Sequence, residues 1–127
     1  GYEGLKSILE DQISENKTVF IIGAAEDAED ILKYYLPHYT EKRKKKRLKL
    51  KLIYCGAKQE MDVPVGDVKY LPKTYAGPVS TNIYGDKVAI IVWSKEPVAI
   101  LIQNKEIARS YKNYFDILWN TASSKLK

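Results

Sequence analysis

Basic side chains crowd one short stretch of the sequence and are its most obvious candidates for chemistry. Eight Lys and Arg residues lie in the run Lys42–Lys51. The whole chain has a formal net charge of +5, so without these eight charges its net charge would be 5 − 8 = −3. Such a run can bind phosphate groups by charge alone. The candidate phosphate contacts are Lys42, Arg43, Lys44, Lys45, Lys46 and Arg47. A solvated helix end is the alternative, since basic residues complement the negative end of the helix dipole.

A second candidate site lies where a predicted strand meets a predicted helix. Gly23-Ala24-Ala25 follows the apolar segment Thr18–Ile22, and α/β proteins often bind ligands at such a junction. The segment lacks the repeated glycines and the Lys-Ser/Thr pair of a phosphate loop. The next turn is acidic and would repel an anion, because it holds Glu26, Asp27, Glu29 and Asp30. A neutral polar ligand therefore fits better than a phosphate, and an ordinary turn is the alternative.

Tyrosine and short polar side chains add to this candidate site. The chain has ten tyrosines, and an aromatic wall with a hydroxyl tip suits a sugar or a similar polar molecule, although it equally suits a core or a dimer face. Three consecutive polar residues follow Pro78 and could supply hydrogen bonds. The predicted ligand-binding residues are Gly23, Ala24, Tyr75, Ser80, Thr81 and Asn82.

Histidine and cysteine are too scarce for the commoner kinds of catalytic or metal site. His38 and Cys55 are the only residues of their types, so schemes that need two histidines within one subunit are excluded. A single cysteine forms no internal disulfide, which agrees with a reducing compartment. We predict no metal and no cofactor.

The elements that would position these residues follow from hydrophobic periodicity and turn residues. Helices are predicted close after Gly4 and from Glu26, the second restarting at Pro37. Strands are predicted at Thr18–Ile22, Arg47–Tyr54 and Asp67–Leu71. A three-stranded meander follows, with its turns at Gly85 and at Ser94-Lys95-Glu96. This order predicts an α/β fold with a mixed sheet flanked by helices.

The last helix carries the clearest apolar stripe. Asn104 is predicted as its N-cap, and helical spacing puts Ile107, Tyr111, Tyr114, Phe115, Leu118 and Ala122 on one face with Trp119 beside it. This face must lie on the sheet or on a second subunit. The predicted core or dimer residues are Tyr111, Tyr114, Phe115, Leu118 and Trp119.

Length and composition predict one domain over residues 1–127. No apolar run approaches the roughly 20 residues that cross a bilayer, and no signal-peptide pattern is present, so we expect a cytoplasmic protein without a membrane partner. The chain opens with Gly1, and its only methionine is Met61. We therefore expect a further N-terminal part to precede it.

Several segments resemble the C-terminal regulatory domain of archaeal TrmB-type transcriptional regulators. They are GYEGLKSILEDQI, IIGAAE, YYLPHYTEKRKKKRLKLKLIY, YLPKTY, STNIYGDKVAIIVW, EPVAILI and NKEIARSYKNYFDILW, which together cover nearly the whole chain. The resemblance implies an N-terminal winged helix that reads DNA, and a C-terminal domain that senses an effector and forms a homodimer.

The resemblance also implies a phospholipase D-like fold without its catalytic motif. That motif is His-x-Lys followed by Asp, and aligning Asp86 with its aspartate places Val79 and Thr81 at the histidine and lysine positions. Without the nucleophilic histidine the covalent intermediate cannot form, so no enzyme is expected. The leading hypothesis is an effector-sensing and dimerisation domain of a DNA-binding regulator. The alternatives are a stand-alone nucleic-acid-binding protein that uses Lys42–Lys51, and a phospholipase D-type phosphodiesterase.

Overall fold

A six-stranded mixed sheet forms the centre of the computed structural model, which describes residues 1–24 and 26–126. The strands are β1 (Val19–Ala24), β2 (Leu50–Cys55), β3 (Gly66–Leu71), β4 (Val79–Tyr84), β5 (Lys87–Val92) and β6 (Val98–Gln103). Their order across the sheet is β3-β2-β1-β4-β5-β6. The first three strands are parallel, and β4 to β6 form an antiparallel meander that joins β1 through β4. The predicted α/β fold with a mixed sheet is confirmed.

Helices cover both faces of this sheet. The helices α1 (Tyr2–Glu15), α2 (Asp27–Ile31) and α3 (Leu36–Lys46) lie on one face, where residues such as Leu9, Leu32 and Ile91 form a buried core. The helix α4 (Lys105–Thr121) lies on the other face and packs on Ile53, Ile83 and Val88. Burial of one large side chain stabilises such a core by roughly 1.5–3 kcal/mol.

Local signals set the boundaries of several elements as predicted. Pro37 stands in the first turn of α3, where its missing N–H is tolerated. Gly85 has φ +55° in the β4–β5 turn, a conformation that favours glycine. The Asn104 side chain accepts a hydrogen bond of 3.0 Å from the Ile107 backbone N–H and so caps α4.

Most of the predicted stripe of α4 packs on the sheet, including Phe115, Leu118 and Trp119, but two of its residues do not. The helix buries Ala108, Phe115 and Ala122, whereas Ile107 and Tyr114 are exposed by 38% and 57%. Small Ala108 lets the helix backbone approach the sheet, and the contact line runs through Ala108 and Phe115 rather than through Ile107 and Tyr114. Ile107 and Tyr114 therefore do not lie on the sheet, and their contact with a second subunit stays a prediction.

No helix among the described residues is long and apolar enough to cross a membrane.

Candidate ligand-binding site

A cavity of about 290 Å³ lies between the sheet and the α1–α3 layer. Its walls come from β1, β2 and β4, from the segment after β5, and from all three helices of that layer. Apolar and aromatic side chains predominate, with a few polar groups among them. The lining includes Leu9, Ile21, Ala24, Ala28, Glu29, Leu32, Tyr39, Arg43, Leu52, Tyr54, Asp62, Ser80, Asn82 and Trp93. This composition is typical of small-molecule sites, which range from roughly 300 to 1,000 Å³.

Strand alternation directs the polar residues of β4 into the cavity. Ser80 and Asn82 are two residues apart and therefore point to the same face of the sheet, towards α1–α3. Ser80 is 2% exposed, and its Oγ accepts a hydrogen bond of 2.8 Å from the indole Nε1–H of Trp93. That bond satisfies the buried indole and holds Trp93 against the cavity wall.

Asn82 is buried on the same strand, but its amide oxygen is not satisfied. The residue is 4% exposed, and Oδ1 has no hydrogen-bond partner among residues 1–24 and 26–126. A buried polar atom without a partner costs roughly 1–3 kcal/mol, and such atoms are rare in native proteins. The amide oxygen has almost no accessible surface, so a ligand in the cavity can reach it only after the side chain moves.

The guanidinium of Arg43 reaches the cavity from α3 and is 1% exposed. Its Nη1 donates to the Leu48 carbonyl at 3.0 Å and its Nη2 to the Pro64 carbonyl at 2.9 Å, which ties the end of α3 to the segment before β3. Nε has no partner within the described part of the chain. Burial lowers the pKa of Arg43, yet a guanidinium keeps its charge in proteins. The cavity thus contains a buried cation.

Two tyrosines in the wall stay protonated and can only act as neutral groups. Burial raises the pKa of Tyr39, whose hydroxyl donates to Gln12 on α1. Burial, with a smaller contribution from the nearby carboxylate of Glu29, raises the pKa of Tyr54 to about 12. The Arg43 guanidinium lies 5.6 Å from the centre of the Tyr39 ring, which is within cation–π range.

The structure brings three of the six predicted ligand-binding residues together. Ala24, Ser80 and Asn82 all line the cavity. Thr81 alternates to the opposite face of β4, and Tyr75 lies in a separate surface groove with its side chain 67% exposed. Gly23 adjoins the cavity without lining it, and Ala25, the last residue of the predicted turn, lies outside the described residues.

Gly23 is required where β1 meets the start of β4. Its φ is +76°, and a Cβ at this position would lie 2.9 Å from the Val79 carbonyl oxygen. The register of β1 with β2 also shifts between Ile22 and Ala24. A glycine here therefore allows the close approach of β4 and turns Ala24 into the cavity.

The basic run is less available for nucleic acid than its sequence indicates. Arg43 is buried, which corrects its assignment as a phosphate contact. Lys42 is paired with Glu10 at 2.9 Å, Lys44 with Glu41 at 3.3 Å, and Lys46 donates to the Ile13 carbonyl at 3.0 Å. Within the described chain, Lys45 and Arg47 are the two basic residues of α3 and its C-cap without an ion-pair or hydrogen-bond partner.

Sequence reasoning missed Arg43, Tyr39, Tyr54 and Trp93 as cavity residues. Leu36, Tyr39 and Arg43 are three and four residues apart on α3, which places them on one face of the helix. This spacing could have shown that Arg43, unlike its neighbours in the basic run, belongs to the buried face. Trp93 continues the inward alternation of Ala89 and Ile91 on β5.

An apolar surface remains exposed on the α4 face and at the sheet edge. The strand β6 is the last in the sheet, so one side of its backbone has no strand partner among the described residues. We use "β6–α4 surface" for Val98, Ile100, Ile107, Tyr114 and Ile117, whose side chains are 38–64% exposed. Val98 and Ile100 point to the same sheet face as α4, because they pair with Val92 and Ile90 of β5. Exposed apolar surface of this kind marks interaction sites.

The fold resembles that of a solved protein structure over almost the whole chain. The chain is similar to TrmBL2, an archaeal chromatin protein described as showing a novel mode of DNA binding, with a TM-score of 0.63 and 11% sequence identity. The match covers 98% of this chain and 52% of the other, so this chain spans about half the length of that protein. At this identity the likeness establishes the fold alone. No protein-family model and no curated protein matches the sequence.

Proposed function

We propose that this chain is an effector-sensing and dimerisation domain of a DNA-binding transcriptional regulator of the TrmB type. The observation that carries the proposal is the cavity beneath α1–α3, where Asn82 and Arg43 keep buried polar atoms without partners. A structural core would satisfy these atoms or replace them with apolar groups. A ligand site keeps them for the molecule that it binds.

The shared fold supports the link to DNA. TrmBL2 is a DNA-binding protein about twice as long as this chain. On our proposal, the DNA-reading part of the regulator is a separate winged helix outside residues 1–127, and the present domain changes the arrangement of two such parts in a homodimer.

The β6–α4 surface is the proposed contact with the second copy. An open strand edge with apolar neighbours favours association, because pairing satisfies the backbone groups and removes the apolar side chains from water. An effector that binds one dimer arrangement more tightly shifts the population towards that arrangement. Half-site spacing on DNA depends on the dimer geometry, so this shift would change operator affinity.

A thermal-shift screen tests the sensing function. The chain is heated with sugars, nucleotides, amino acids, organic acids and simple anions, beside the variant Ala28→Phe, which fills the cavity from α2. A ligand at 100 times its Kd adds about 2.7 kcal/mol to the free energy of unfolding and raises Tm by several degrees. We expect a selective shift that Ala28→Phe abolishes. The absence of any selective shift, or a shift that survives in Ala28→Phe, would contradict the proposal.

A stand-alone nucleic-acid-binding function is the second candidate, and the ion pairs of the basic run disfavour it. On duplex DNA, the logarithm of the association constant falls as the logarithm of the salt concentration rises, by about 0.9 for each neutralised phosphate. If Lys45 and Arg47 are the main cations available on α3, the magnitude of this slope should not exceed about 2. A slope of 5 or more for this chain, reduced in Lys45→Gln/Arg47→Gln, would favour the second candidate.

We propose no enzymatic activity. Val79 and Thr81 offer neither the imidazole nor the ammonium group of the phospholipase D motif, and Asp86 lies in the exposed β4–β5 turn. Turnover of a generic phosphodiester that is lost in Asp86→Asn would overturn this part of the proposal.

A further inference from the structure

Two carboxylates at the rim of the cavity have no cationic partner. Glu29 on α2 and Asp62 in the segment before β3 both line the cavity and are exposed to solvent. Among the described residues neither of them forms an ion pair. Burial, and after it the charge of Glu29, raises the pKa of Tyr54, so the Glu29 carboxylate lies close to this wall residue. The charged rim of the cavity is therefore negative.

The negative rim contrasts with the charge of the chain as a whole. The formal net charge is +5, whereas α2 and the residue before it supply Glu26, Asp27, Glu29 and Asp30 within five positions. Fixed charges of one sign around an opening attract ions of the other sign, over roughly 8 Å at physiological ionic strength. The rim therefore favours a ligand with a positively charged group and disfavours an anion.

An organic cation fits this rim better than a metal ion. Within the described part of the chain, no group of three or more His, Cys, Asp or Glu residues could hold a metal. Calcium takes about six to eight oxygen ligands, which is more than two carboxylates supply. An ammonium group has three donors and pairs with single carboxylates without a fixed coordination geometry. The positive group of the ligand is therefore an ammonium.

The interior of the cavity fits an apolar body. Leu9, Leu32, Leu52 and Trp93 line it, and the indole N–H of Trp93 already donates to Ser80. An apolar cavity of about 150 Å³ holds one benzene molecule, and the present cavity has about 290 Å³. An aromatic or branched body larger than a benzene ring can therefore leave water between the sheet and the α1–α3 layer.

The buried cation Arg43 lies at the opposite end of the cavity from this rim. Its Nη atoms donate to the carbonyls of Leu48 and Pro64, before the amino ends of β2 and β3. Tyr54, beside the rim, comes four residues after Leu50 at the start of β2, which is about 13 Å at the rise of a strand. This separation exceeds the screening length of roughly 8 Å, so Arg43 opposes an ammonium at the rim only weakly.

We propose that the cavity binds an amine with an apolar body. The body lies between the sheet and the α1–α3 layer, and the ammonium group stays at the rim with Glu29 and Asp62. Because the ammonium keeps its contact with water, binding avoids the cost of burying a charge. This assignment rests on the proposed sensing function and names the chemical class of the effector.

Titration calorimetry on the whole chain tests this class with probes that share one body and differ in the polar group. The first series is 4-phenylbutylamine, 4-phenylbutanol and 4-phenylbutyrate, and hexylamine, hexanol and hexanoate test a second body. In at least one series the amine should bind roughly 5- to 20-fold more tightly than the alcohol, as expected for two exposed ion pairs. The acid should bind more weakly than the alcohol. Ala28→Phe, which fills the cavity, should abolish binding of the amine.

Two rim variants with a matched control assign the contacts. Glu29→Gln and Asp62→Asn should each weaken binding of the amine roughly 2- to 5-fold and leave the alcohol unchanged. Asp30→Asn is the control, because it removes the same charge from an exposed position of α2 that does not line the cavity. A smaller preference for the amine at high salt is expected as well, since both carboxylates are exposed.

An alcohol or acid that binds as tightly as the amine in both series would overturn the assignment. Equal weakening by Glu29→Gln and Asp30→Asn, or amine binding that survives in Ala28→Phe, would do the same. If amines do not bind but another class binds in the cavity, the assignment fails and the sensing function stands. If neither amines nor any other class binds there, both proposals fail.

Discussion

Arg43 on α3 and Asn82 on β4 line the same cavity, yet neither satisfies the other. Arg43 Nε is a buried donor and Asn82 Oδ1 a buried acceptor, and both lack partners in the part of the chain that the structure describes. Helix and sheet thus place two complementary groups around one space of metabolite size. Their unpaired state is the structural basis of the proposed ligand site.

Replacing Asn82 should separate stability from binding. Leu has the same branching and number of side-chain heavy atoms as Asn but no polar atom, so Asn82→Leu removes the unsatisfied oxygen and is expected to raise the free energy of unfolding by about 1–3 kcal/mol while weakening ligand binding. Urea denaturation with and without ligand measures both effects. A less stable Asn82→Leu would show that the amide contributes to the fold.

Ligand binding should slow amide exchange in α2. None of the five residues of this helix is buried, but Ala28 and Glu29 line the cavity. Elements with few buried contacts open easily, so exchange at residues 27–31 should be fast without ligand and slow by at least tenfold at saturation. Amides of α4, on the far face of the sheet, are the internal control. Equal protection of both helices would indicate global stabilisation only.

Charge on the β6–α4 surface should prevent dimerisation. Ile100→Lys and Ile117→Lys place a charge on side chains that are 54% and 64% exposed, so the monomer is little affected while an apolar contact is disrupted. Sedimentation analysis should find dimers of the wild type and monomers of both variants. Tyr34→Lys, at an 82% exposed position outside this surface, should remain dimeric. Unchanged association in all three would place the dimer contact elsewhere.

Glu10 should contribute to stability at neutral pH but not in acid. Hydrogen bonds from Tyr35 and Lys42 lower the pKa of Glu10 from its usual value of 4.5. A lowered folded-state pKa means that the contribution is complete above pH 4.5 and is lost as the pH falls through the folded value. Glu10→Gln should therefore be less stable than the wild type at pH 7 and equally stable near pH 2. A difference that is constant with pH would exclude this linkage.

Local signals were sufficient to predict most elements. Pro37, Gly85 and Asn104 act through their own backbone geometry or side chain, so their effects can be read without tertiary contacts. Most of the α4 stripe was predicted, but Ile107 and Tyr114 were included and Ala108 was not, because a pattern of large apolar residues does not show how closely Ala108 lets the helix approach the sheet. The distance between α4 and the sheet depends on the side chains of both, and the helix sequence specifies only its own.

The cavity could be predicted only in part. Ala24, Ser80 and Asn82 lie near the ends of predicted strands. The order of the elements along the chain was enough to predict that these residues come close together. Tyr75 was grouped with them by sequence distance, but the segment after β3 leads it to a groove at the carboxyl ends of β2 and β3. Arg43 belongs to a dense run of basic residues. Only its position on the same helix face as Tyr39, four residues earlier, distinguishes it from its exposed neighbours. Its burial depends on the carbonyls of Leu48 and Pro64, which tertiary structure brings to it.

The central claim, that the cavity beneath α1–α3 is the ligand site, is tested most directly by the two indole N–H signals in a nitrogen-15 NMR spectrum. Trp93 lines the cavity, whereas Trp119 packs on the opposite face of the sheet. On titration with a ligand from the thermal screen, the account predicts that the Trp93 signal shifts and the Trp119 signal does not. Assignment by Trp93→Phe and Trp119→Phe identifies each signal. A shift of Trp119 alone, or of neither tryptophan while the ligand is bound, would contradict the account.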